Sequence, residues 1–114
     1  MTIKTKFRGK TIELENRSKV EGNILTNWNG YQILFRKYGK QKKIVVKSPL
    51  DDILIKQQCE NIQKAIKLAF ERIETDVAEN EYMVKDKIFL LASTNGSFQD
   101  RIKKAEEFLK NFSY

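Results

Sequence analysis

The chain has no histidine, one cysteine, one proline and only five glycines in 114 residues. Without histidine it cannot itself supply a Ser-His-Asp or Cys-His arrangement, a histidine zinc ligand, or the usual general base of neutral pH. A lone thiol, Cys59, makes neither an internal disulfide nor a multi-thiolate metal site, which suits a reducing compartment. The scarcity of proline and glycine excludes a collagen or a low-complexity linker. Long apolar runs are missing too: the longest uncharged one covers residues 88–92, against the ~20 residues of a membrane span. Near the N-terminus Lys and Arg alternate with polar residues where a secretory signal would be apolar. The expectation is a cytoplasmic protein without membrane attachment. The glycines are isolated and Gly39-Lys40 lacks the residues that precede it in a phosphate loop, so no cofactor is expected.

What is present suffices for one folded body. Hydrophobic residues make up 40% and charged residues 32% of the chain, and no linker or internal repeat divides residues 1–114. Charge is unevenly placed. Residues 1–48 hold twelve Lys or Arg and three Glu, whereas residues 49–114 hold ten Lys or Arg and twelve Asp or Glu, so the excess of the +7 chain lies in its first part. Such one-sided basic blocks point toward a polyanion, although Lys-rich compositions also arise without any such partner.

Hydrophobic periodicity gives the fold class, α+β: a basic β part over residues 1–48 and a helical part over residues 49–114. Asn29-Gly30 between two β-rich runs is a type I′ hairpin signal, because both turn residues must tolerate positive φ. A two-residue turn sets Trp28 opposite Tyr31, Thr26 opposite Ile33 and Ile24 opposite Phe35, all on one face. A second turn over Tyr38-Gly39-Lys40-Gln41 returns the chain so that Ile44 and Val46 join that face. Residues 6–15 alternate in polarity, with a bend at Gly9, and add a strand or a short hairpin. An antiparallel sheet of three to five strands is expected.

Ser48-Pro49-Leu50-Asp51 has the chemistry of a helix start: a side-chain oxygen for orphan N–H groups, a proline lacking an N–H, and acids in the first turn. From there Ile55, Cys59, Ile62, Ile66, Ala69, Phe70, Ile73 and Val77 share one helical stripe, predicting a long amphipathic helix on the apolar sheet face with Cys59 in the core. Residues 79–93 fit neither period cleanly; they read as helix, with strand as the alternative. Ser97-Phe98-Gln99-Asp100 opens a last helix with Phe98, Ile102, Ala105, Leu109 and Phe112 inward.

Three readings of function remain. In the first, a non-enzymatic DNA- or RNA-binding or accessory protein, Arg36, Lys43 and Lys47 project from the second sheet face with Gln32 and Asn27 between them, while Lys37, Lys40 and Lys42 crowd the second turn. Cations hold phosphates while the amides and Arg36 read base edges, and the β surface fits a major groove. A basic three-stranded sheet backed by a helix is similar in outline to the sheet-type DNA readers of integrase arms and some plant transcription factors, without a shared motif. Trp28 and Tyr31 stack on unpaired bases if the turn tip is open, or else pair in the core. The second reading weighs Leu25, Leu34 and Val45, three aliphatics on that second face: either the C-terminal helix covers them through Phe98, Ile102 and Leu109 and confines binding to the Lys37–Lys43 turn, or a partner chain, another protein or a second copy, covers them and the domain is an adaptor or inhibitor. The third, a metal-dependent nuclease, rests on the carboxylate pairs Glu13 with Glu15, Asp51 with Asp52, and Glu79 with Glu81. Each pair is better explained as a solvated strand face or a helix first turn.

Overall fold

The computed structural model describes residues 2–85 and 96–112. They form two antiparallel sheets and two long helices. Strands β1 (Thr2–Phe7) and β2 (Lys10–Glu15) make a hairpin, and β3 (Ile24–Trp28), β4 (Tyr31–Tyr38), β5 (Gln41–Lys47) and β6 (Ile53–Gln58) pair in chain order in a second sheet. Helix α1 spans Ile62–Lys85, and α2 spans Gly96–Leu109 before a 3₁₀ turn at Lys110–Phe112. Met1–Glu74 form one compact unit and Thr75–Tyr114 another. Among the described residues no helix is long and apolar enough to cross a membrane.

Two-residue turns set the register of three hairpins. Asn29 and Gly30 both adopt positive φ, and Trp28 faces Tyr31, Thr26 faces Ile33 and Ile24 faces Phe35, as the sequence predicts. Gly39 takes positive φ and Lys40 does not, the sign pattern of a type II′ turn, and Ile44 and Val46 arrive beside Phe35 and Ile33. The N-terminal hairpin turns at Arg8-Gly9, again both at positive φ, and reaches back to Thr2, further than its alternation suggests.

The core of the first unit lies on one face of the four-stranded sheet. Ile24, Tyr31, Ile33, Phe35, Ile44 and Val46 are fully buried there. Phe7 of the hairpin meets Trp28 at 4.8 Å between ring centroids, and Phe70 of α1 meets Trp28 edge-on at 5.2 Å. Trp28 and Tyr31 are therefore core contacts, not a stacking platform for bases. In the second unit, Val77, Ile102, Ala105, Phe108 and Phe112 are buried and Phe108 meets Phe112 edge-on.

Three sequence expectations fail locally. Ser48 does not start a helix. Its buried hydroxyl accepts the N–H groups of Leu50 and Asp52, both at 3.1 Å, but Asp51 turns to positive φ and ends any helical course. The chain then enters β6, an unexpected strand, so that Ile55 is buried from a strand. The helix begins thirteen residues later, where Asn61 Oδ1 accepts the N–H of Lys64 at 2.9 Å. Cys59 consequently sits half-buried before the helix, its Sγ 3.8 Å from the Asn61 carbonyl. In α2 Phe108, not Leu109, is the buried residue of the last turn; Leu109 is half-buried and the Phe98 side chain lies outside the described residues. Residues 79–85 are helical as the continuation of α1, and residues 86–93 lie outside the described residues.

Candidate nucleic-acid interface

Alternation along β3 to β6 sends every second side chain away from the core, and the register arranges these outward residues in rows. Leu25, Leu34, Val45 and Lys56 form the central row. Asn27, Gln32, Lys47 and Ile53 form one flanking row, and Arg36, Lys43 and Gln58 the other. A bulge between Val46 and Lys47 lets Ile53 instead of Leu54 face Lys47. No Asp or Glu stands in any of these rows.

Beyond the third row the sheet narrows. Pairing of β3 with β4 ends at Ile24 and Phe35, and pairing of β6 with β5 ends at Lys43 and Gln58. Past those points β4 and β5 continue alone through Lys37 opposite Lys42 and Tyr38 opposite Gln41 to the Gly39-Lys40 turn. Residues 36–43 of this two-stranded ribbon hold five Lys or Arg and no acid.

The predicted residues divide by strand parity. Arg36, Lys43, Lys47, Gln32 and Asn27 lie on the outward face, Lys37 and Lys42 on the opposite side of the ribbon, and Lys40 at its tip. The exposed Arg36 guanidinium lies over the Tyr38 ring, 4.6 Å from its centroid, a cation–π contact that restrains the side chain. Asn27 is exposed, but its Oδ1 accepts the N–H of Gly30 at 3.2 Å, so its acceptor is used by the turn. Lys42, Lys43 and Lys47 are half-buried, and Lys42 is set apart by its surroundings: its Nζ lies 5.8 Å from the Phe35 ring centre, and it shares a hollow with Glu60, Asn61 and Gln63. Its carbonyl accepts the N–H of Cys59 at 2.9 Å.

The nearby carboxylate, Glu60, is engaged by Lys64 at 2.8 Å. The hydrogen bond and charge of Lys64 hold the Glu60 carboxyl below its ordinary range, and the same contact raises the Lys64 ammonium. Among the described residues none of Lys37, Lys40, Lys43, Lys47 or Lys56 has an ion pair. Lys56, Gln58 and Tyr38 were not singled out from sequence; the β-branched Ile53 and Ile55, two residues apart, were the available signal for the first two.

The carboxylate pairs considered for a metal are scattered over β2, the Ser48 loop and α1. Among the described residues no three potential ligand side chains of His, Cys, Asp or Glu gather. On the outward face Leu25 is 49% exposed, while Leu34 and Val45 are half-buried. No protein family, curated protein or solved structure matches this chain.

Proposed function

We propose that the chain is a small, non-catalytic nucleic-acid-binding protein that docks through the β4–β5 ribbon and the adjoining outward sheet face. The observation that carries this reading is the absence of any carboxylate among the ribbon and the three rows behind it, where Arg36, Lys43, Lys47 and Lys56 share the outward face and Lys37 and Lys40 lie on the ribbon's other side and tip. A mixed-sign surface suits solubility; a single-sign one concentrates a polyanion. Geometry favours the ribbon as the leading element. Four strands about 4.8 Å apart span roughly 14 Å between outer backbones, wider than the ~12 Å major groove, whereas a two-stranded ribbon enters it. Cations then hold phosphates on either side, with Gln32, Gln41 and Arg36 available to base edges.

Fluorescence anisotropy with labelled duplex and single-stranded probes at two salt concentrations tests this. Four phosphate contacts give a slope of about −3.6 for log affinity against log salt. The triple variant Lys37→Glu, Lys40→Glu, Lys43→Glu keeps the fold and loses at least ~100-fold in affinity for all sequences at low salt. Unchanged binding by this variant refutes the site.

The exposure of Leu25 beside Leu34 and Val45 supports a second reading, in which a protein partner covers the outward face. It predicts negligible nucleic-acid affinity at ~150 mM salt and a stable protein complex on size-exclusion chromatography.

A further inference from the structure

The first hairpin offers a different surface. In the β1–β2 pair the two-residue turn makes Phe7 and Lys10 the closing hydrogen-bonded pair. Alternation then puts Lys6 and Lys4 in non-hydrogen-bonded pairs, so their N–H and C=O groups aim away from β2. Among the described residues β1 has no strand on that side.

Beside this open edge lies a groove of about 510 Å³ between residues 3–6 and α1. Its apolar wall is Ile62, Ile66 and Phe70, one residue per helical turn, together with Ile3. From Ile62 to Glu74 the helix runs about 18 Å, enough for roughly five residues of extended chain. Arg8 donates its N–H to Glu74 Oε1 at 2.6 Å, pinning the far end of β1 to the helix.

The charges select the occupant. Glu74 is engaged by the Arg8 N–H, and Lys4 meets Glu13 only loosely at 3.8 Å, both side chains being largely exposed. Lys4, Lys6 and Lys67 stand against Glu71 and Glu74 in the lining, a net of +1, and Lys6 and Lys67 have no ion pair among the described residues, so the balance is positive. A second copy pairing edge to edge would set Lys4 and Lys6 against their own kind, the device by which edge strands avoid self-association. We propose that the β1 edge and the α1 face beside it form a docking groove for an extended peptide of a partner protein, added as a strand, with apolar residues at alternate positions and carboxylates between them. This site is independent of the ribbon.

A fluorescein-labelled Glu-Val-Glu-Val-Glu-Val-Glu peptide and its Lys-for-Glu counterpart, titrated against the full chain, provide the test. The acidic probe binds in the ~100 µM range and the basic one at least tenfold more weakly. Hydrogen exchange on the unmodified protein shows new protection at the Lys4 and Lys6 amides, whereas those of Ile3 and Thr5, already paired with β2, change little. Lys4→Pro, which removes an outward donor without touching the β1–β2 ladder, weakens the probe at least tenfold, and Lys4→Ala, which keeps that donor, does so by less than about threefold. A dissociation constant above ~1 mM, unchanged exchange at Lys4 and Lys6, or binding lost in the ribbon triple variant but retained in Lys4→Pro overturns the proposal.

Discussion

Ile33 and Leu34 are neighbours on β4 with nearly the same chemistry and opposite situations. Ile33 is fully buried beneath Trp28 and Phe70's side of the sheet, while Leu34 sits half-buried in a row ending at the exposed Leu25. The two faces of this sheet are thus specified differently. The inner one is defined by what it contains, aliphatic and aromatic side chains that leave water on folding. The outer one is defined by what it lacks, any carboxylate, and its aliphatic row is only partly buried. Stability resides on the inner face, and the surface proposed for binding is the outer face with its ribbon.

Substitutions at these neighbours probe that division. Ile33→Lys places a charge among fully buried side chains and costs about 4 kcal/mol or more in denaturant unfolding. The turn that assigns residues to faces is the next most sensitive point. At Gly30, φ is +90° and an added Cβ lies 3.0 Å from Pro49 Cγ, so Gly30→Ala costs about 1–3 kcal/mol. Leu34→Lys changes stability by less than about 1 kcal/mol and strengthens nucleic-acid binding several-fold by adding a cation to the outer face. If Leu34→Lys destabilises the protein as much as Ile33→Lys does, the outer face is sealed and the contrast collapses.

Much of the sheet was legible because its determinants are local. Asn29-Gly30 and Gly39-Lys40 fix two registers by turn chemistry alone, and register then dictates which residues are core. Those same rows carried the ribbon cations into view. The β5–β6 link was not legible, because Ser48 performs in a loop the same hydrogen bonding that it would perform at a helix start. Only the positive φ of Asp51, which no periodicity reports, separates the two outcomes. Ile55, Cys59 and Ile62 are also spaced as a helix stripe would be, so the strand was hidden and Lys56 and Gln58 with it. The peptide groove depends on β1 lying beside α1, a pairing of elements about sixty residues apart that sequence pattern does not encode.

The three tight hairpin turns and the bulge between β5 and β6 have a genealogical consequence. Inserting one residue at Arg8-Gly9, Asn29-Gly30 or Gly39-Lys40 exchanges inside for outside along the following strand, so those turns should resist odd-numbered insertions during divergence. The Val46/Lys47 irregularity has already absorbed an odd residue in β6. Drift in chain length should therefore accumulate between β5 and β6, leaving the ribbon the same length in any descendants that still use it.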